Sequence, residues 1–236
     1  MLNKTKIKLP CIAAFLVCEA ILGVLVQTSQ GKTVVAVSFA SVVLACLFLA
    51  LFFEKSPSYA LTQAGMVCTV MADWFLVVTS PMEQLPAMMF FSVTQLCYFF
   101  RLYLNHERSK ERLNHCIVRA SLVAVALLLT VIVLKDKTDA LSLVSLFYYA
   151  NLIMNIVVSF AQFKKSPLFA IGLLLFLMCD TLIGLEVMAS SYIQIAEGSV
   201  IYKLLHSGLN LAWIFYVPSQ ALISISLFKI KAEKES

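Results

Sequence analysis

Apolar residues run through this chain in long blocks separated by short polar connections, and the blocks are its dominant signal. Eight stretches are long and apolar enough to be spanning helices: residues 9–27, 33–53, 59–79, 86–104, 114–134, 139–161, 167–188 and 206–228. A spanning helix needs about 20 mostly apolar residues, because the backbone must satisfy its own hydrogen bonds inside a hydrocarbon layer about 30 Å thick. The longest connection, 189–205, carries Gly198 and polar residues, and no stretch has the composition of a soluble domain. The expected fold is therefore all-α: a single polytopic membrane domain over residues 1–236 with eight transmembrane helices. Lys4, Lys6 and Lys8 precede the first apolar run, as in a secretory leader. That run is long for a leader and no small-x-small cleavage site follows, so it reads as a helix that stays attached.

Composition agrees. Hydrophobic residues make up 61% of the chain and charged residues 13%, against about 25% charged in soluble domains, and the mean hydropathy is +0.91. A net charge of +5 raises the question of nucleic acid, but its distribution is that of a topology signal. With the N-terminus inside, 14 of the 18 Lys and Arg residues, among them Lys55, Arg101, Arg108, Arg119, Lys164 and Lys165, fall on the cytoplasmic side and four (Lys32, Lys135, Lys137, Lys203) on the other. The positive-inside rule then places both termini in the cytoplasm and reads these charges as solvated. In a bacterium the membrane would be the plasma membrane. No nucleic-acid partner is expected.

The third and seventh stretches resemble each other. Both open with Lys-Ser-Pro, at Lys55 and Lys165; both place Gly eight residues before Asp, Gly65 with Asp73 and Gly172 with Asp180, with Met71 and Met178 two residues before. Helices four apart run in the same direction, so this pattern suggests two parallel four-helix repeats. Asp73 and Asp180 each lie about 13 residues from the cytoplasmic end, roughly 20 Å into the core. An ionisable group at that depth costs at least about 2.5 kcal/mol and belongs at a bundle interior or wet cavity. At matched depth they point to a shared site, with the third and seventh helices facing each other. The alternative is that each aspartate only bonds a neighbouring helix.

Further polar residues are candidates for lining that cavity: Glu19 in the first stretch, Gln95 and Tyr98 in the fourth, Tyr148, Asn151 and Asn155 at helical spacing in the sixth, and Asn210, Tyr216 and Gln220 in the eighth. Pro218 removes a backbone donor there and is expected to kink the helix. The seven cysteines form no C-x-x-C pair, and His106, His115 and His206 are too scattered to join the aspartates in a zinc site, which takes about three protein ligands. Nucleophile-elbow, P-loop and H-E-x-x-H motifs are absent. No metal or cofactor is expected. If the chain is an enzyme, two-carboxylate acid–base chemistry is what remains.

These residues resemble the YhhN-like membrane proteins, which include the lysoplasmalogenases. The family's small residue before Asp is matched by Ala72-Asp73 with Gly65 upstream. Its Gly, apolar run and Ser-Asp are matched by Gly172 through Cys179-Asp180, and its Tyr-x-x-x-Gln by Tyr216 to Gln220 with Leu222-Ile223 beyond. Three positions depart: Ala72 stands where the family has Gly, Cys179 where it has Ser, and Gln95, three residues before Tyr98, where it has His. The resemblance implies hydrolysis of the vinyl ether bond of a lysophospholipid to a fatty aldehyde and a glycerophospho-base. Asp73 and Asp180 would be catalytic, and Gln95, Tyr98, Asn151, Asn155, Tyr216, Gln220 and Glu19 would line the substrate site. The partner would be a lysophospholipid or related amphipathic lipid. Two other readings stay open: a transporter or flippase, and a non-catalytic lipid-binding protein.

Overall fold

A computed structural model of the chain describes residues 4–52, 54–79, 81–105, 109–135, 138–191, 196, 198–205 and 207–228. Among them, regular structure is helical throughout: α1 Lys4–Thr28, α2 Lys32–Leu51, α3 Pro57–Asp73, α4 Gln84–Leu104, α5 Ser109–Leu134, α6 Ala140–Ala161, α7 Pro167–Ser191, α8 Val200–Leu205 and α9 Leu211–Ile225. A π-helical turn, Trp74–Val78, continues α3 without a break. Seven helices are long and apolar enough to cross a membrane, with mean hydropathies from 1.3 to 2.8. The chain is thus a multi-pass membrane protein.

The eighth expected span differs from its sequence outline. Residues 206–228 were expected to form one long helix, but α9 covers only Leu211–Ile225, 15 residues. At 1.5 Å per residue that is roughly 22 Å, less than the hydrocarbon thickness. Its start is set by a tertiary lock. The Gln27 side chain receives the Asn210 N–H at 3.1 Å and donates to the Asn210 carbonyl at 3.0 Å, while Asn210 Nδ2 donates to the Val26 carbonyl at 2.8 Å. Asn210 is therefore a clasp between α1 and α9, not a cavity residue.

Helix ends follow local chemistry. The Ser56 hydroxyl accepts the Tyr59 N–H at 3.2 Å, with Pro57 as the first helical residue of α3, where a missing N–H costs nothing. At α6, Asp139 and Ser142 cap reciprocally: Ser142 N–H donates to the Asp139 carboxylate at 2.7 Å and the Asp139 N–H to the Ser142 hydroxyl at 3.1 Å. Those bonds hold the exposed Asp139 carboxyl below its ordinary value.

In the bundle α3 packs on α2 and α4, α4 on α6, and α7 chiefly on α9, which also meets α1 and α2. α5 leans on α6 and turns Val118, Val125, Leu128, Leu129, Val131, Ile132 and Val133 outward, the face that lipid would wet. Contrary to expectation, α3 and α7 are not principal neighbours; what joins them runs through α4 and α9. Gly65 of α3 receives the Tyr98 ring of α4, and that ring stands edge-on to Phe169 of α7 at 5.4 Å. Gly172 of α7 receives Ile223 of α9. Each glycine lets the next long helix approach closely, since a Cβ would meet Tyr98 Cε1 at 2.7 Å or Ile223 Cγ1 at 2.8 Å.

Candidate functional site

Asp73 is the last α-helical residue of α3, immediately before the π turn, and is 5% exposed. Extra turns of this kind cluster at functional sites. Its carboxylate accepts a hydrogen bond from the Tyr216 hydroxyl of α9. Asp180 of α7 is half-buried and accepts one from the Tyr148 hydroxyl of α6. Both expected aspartates therefore face protein, and each is held by a tyrosine from another helix.

A chain of tilted and edge-on rings links the two pairs. Tyr148 packs on Phe91 at 5.6 Å, Phe91 edge-on to Phe176 at 5.8 Å, and Phe176 edge-on to Tyr216 at 5.8 Å. Trp213 closes against Tyr216 at 5.5 Å. The two carboxyl–tyrosine pairs are thus joined through a wall of aromatic rings.

The remaining expected residues divide among other places. Gln95, Asn151 and Asn155 belong to a second polar cluster between α4, α5 and α6, centred on Arg119. The guanidinium donates to Asn151 Oδ1 at 2.8 Å and Asn155 Oδ1 at 2.6 Å, and meets His115 Nε2 at 3.2 Å. Asn155 Nδ2 in turn donates to Gln95 Oε1 at 2.9 Å. Tyr98 is a fully buried spacer between α3 and α7. Gln220 Nε2 donates to Ser219 at 3.1 Å. Glu19 accepts the Ser41 hydroxyl at 2.6 Å on the α1–α2 seam, away from the aspartates.

Two cations also depart from expectation. Arg101 and Arg119 were read as solvated topology charges, yet they are 2% and 6% exposed. Arg101 donates to Thr62 at 3.0 Å, Ser166 at 3.3 Å and Ser226 at 2.9 Å and lies 3.8 Å over the Phe169 ring. It ties α3, α4, α7 and α9 together at one end. His115 is 5% exposed and joins Arg119. His106 and His206 lie outside the described residues, as do Arg108, Lys137 and the lysines beyond Phe228. Among the described residues no three of His, Cys, Asp and Glu assemble into a set that could hold a metal ion.

One signal was available and unused. In α4, Phe91, Thr94 and Gln95 have the spacing of Tyr216, Ser219 and Gln220 in α9, and Tyr98 and Ile223, the residues that meet the two glycines, follow at the same interval. Phe91 stands at the Tyr216 position without a hydroxyl, and Tyr148 provides the donor to Asp180 from α6.

The sequence model of the YhhN family matches residues 34–227, most of the chain, beginning at α2. No curated protein and no solved structure gives a match.

Proposed function

Because the chain belongs to the YhhN family, we propose that it is a lysoplasmalogenase-like hydrolase that cleaves the vinyl ether bond of a lysophospholipid. The observation that carries this reading is the pair of aspartates, each held by a tyrosine hydroxyl, with a chain of aromatic rings joining the two pairs. Vinyl ether hydrolysis needs an acid that protonates carbon and a base that activates water. A carboxyl pair with one proton meets both needs. The protonated aspartic acid delivers its proton to the vinyl carbon remote from oxygen, leaving an oxocarbenium ion. The ionised aspartate stabilises that cation and takes a proton from the water that captures it. The resulting hemiacetal collapses to a fatty aldehyde and the free hydroxyl of the glycerophospho-base. Roles are not divided between Asp73 and Asp180. Tyr148 and Tyr216 are positioning residues that aim the two carboxyls. The aromatic walls suit an amphipathic substrate whose chain arrives from lipid, and no step calls for a metal.

The test is release of aldehyde from lysoplasmalogen by the purified protein. Asp73→Asn and Asp180→Asn should each lower turnover by about 10²–10⁴ while the protein stays folded, and chelators should leave it unchanged. Full activity in either variant, or loss on chelation, overturns the two-carboxylate mechanism. Transport or binding without aldehyde release overturns the hydrolase reading.

A further inference from the structure

Arg119 is a buried cation whose partners among the described residues are all neutral or aromatic. It lies ten residues into α5 from Ser109, about 15 Å along the helix axis, where an arginine costs roughly 2.5–3.5 kcal/mol. Its partners are two amide oxygens, an imidazole nitrogen and the Phe99 ring 4.3 Å away. No carboxylate pairs with it among the described residues, and its Nε has no hydrogen-bond partner there. One residue away, Gln95 Nε2, on a fully buried side chain, also lacks an acceptor. A buried cation beside spare donors and no anion is a site short of one negatively charged, multiply accepting group.

The same seam continues into an apolar groove of about 400 Å³ lined by Met89, Ser92, Val93, Leu127, Leu143, Val144 and Phe147. The two features lie about one helical turn apart on the same helices: Ser92 precedes Gln95 by one turn on α4, and Phe147 precedes Asn151 by one turn on α6, where Asn151 Nδ2 donates to the Phe147 carbonyl. Met89 and Val93 are exposed on a face that lipid would wet. A cationic, donor-rich head at the end of an apolar trough matches a single-chain lipid with a phosphate in its headgroup. The neighbour of Phe147 is Tyr148, which holds Asp180.

We infer that Arg119, with Asn151, Asn155 and Gln95, binds the phosphate of a single-chain phospholipid whose tail lies along the α4–α5–α6 groove. The inference rests on the proposed lysophospholipid substrate and adds where its headgroup is recognised. It assigns Gln95 to phosphate recognition rather than to proton transfer at the aspartates.

Calorimetric titration of the full chain in a maltoside detergent tests this with three probes: a saturated 1-alkyl lysophosphatidylcholine, a 1-alkylglycerol of the same chain length, and inorganic phosphate. The wild-type protein should prefer the phospholipid over the alkylglycerol. Arg119→Gln should weaken phospholipid binding by about 10–100-fold and leave alkylglycerol binding unchanged, with Arg119→Lys intermediate. Gln95→Glu is the second variant, for the case that Arg119→Gln does not fold. It keeps the oxygen that accepts from Asn155, sacrifices no bond made by Nε2, and sets a carboxylate beside Arg119, so it should remove the phospholipid preference with the arginine still present. Equal binding of both lipids by the wild-type protein, or a preference that survives Arg119→Gln or Gln95→Glu, overturns the inference. Inorganic phosphate that binds as well as the lysolipid and displaces it overturns the lipid assignment. Hydrolysis measured on the same samples separates the two proposals. An Arg119-dependent preference in a protein that releases no aldehyde keeps the phosphate site and rejects the hydrolase. Aldehyde release with no preference rejects the phosphate site alone.

Discussion

Three helical glycines make a graded test of the packing that brings α3, α4, α7 and α9 around the aspartates. At Gly172 an added Cβ would lie 2.8 Å from Ile223 Cγ1, 3.1 Å from the Ser219 carbonyl oxygen and 3.2 Å from the Ile223 nitrogen. Two of those atoms are backbone, so α7 and α9 would have to separate along their main interface. At Gly65 the added Cβ would meet Tyr98 at 2.7, 3.2 and 3.3 Å, all ring atoms. At Gly184 it would meet nothing within 4 Å. Forcing a methyl group into a packed interior costs about 1–3 kcal/mol, offset by about 0.5–1 kcal/mol from the lost flexibility of glycine. Gly172→Ala and Gly65→Ala should therefore each lose about 1–2 kcal/mol, and Gly184→Ala should be unchanged or slightly more stable. Second-site changes separate the first two. Tyr98→Leu should relieve Gly65→Ala largely, because every crowded atom belongs to that ring. Ile223→Ala should relieve Gly172→Ala only in part, because the backbone contacts remain. Unfolding in detergent micelles by heat or denaturant, followed by helical circular dichroism, reads these differences. Full rescue of Gly172→Ala by Ile223→Ala, or a Gly184→Ala loss as large as that of Gly172→Ala, would refute the close α7–α9 approach.

The remaining expectations concern the site, the cap and the topology. Tyr216→Phe and Tyr148→Phe each delete one hydroxyl donor to a carboxylate, so aldehyde release should fall roughly 10–100-fold with folding retained; wild-type turnover in both would mean that the tyrosines do not aim the acids. Asp139 has its carboxyl held down by its bonds to Ser142, so its cap on α6 is fully present above the ordinary aspartate range and is lost as pH falls through the lowered value. Hydrogen-exchange protection in the first turn of α6, taken relative to the intrinsic amide rate at each pH, should fall only on acidification, whereas in Asp139→Ala it should be low throughout; pH-independent protection in the parent protein would contradict the cap. From the split of 14 Lys and Arg against four, a reporter fused after Ser236 is expected in the cytoplasm; an external reporter would overturn that orientation.

Most of the spans and the aspartates were legible in the sequence because both are local properties. A block of apolar residues has to satisfy its backbone by helix formation wherever it sits in lipid, and an acid in the middle of such a block has to face inward. Tyr216 was legible as a polar residue within an apolar block, but not as the donor to Asp73. Tertiary structure decided which groups meet. Asp180 takes its donor from Tyr148 because α6 packs on α7 and the matching place on α4 holds Phe91, a choice no spacing within one helix reveals. The start of α9 depends on Gln27, 183 residues before Asn210. The burial of Arg101 requires hydroxyls brought from Thr62, Ser166 and Ser226 on separate segments. In the sequence, an arginine near a helix end looks the same whether it reaches water or turns inward, since the helix register alone does not say what stands beside it. Partners distant in the chain supply the hydrogen bonds that make burial of its charge possible, and only the assembled bundle places them.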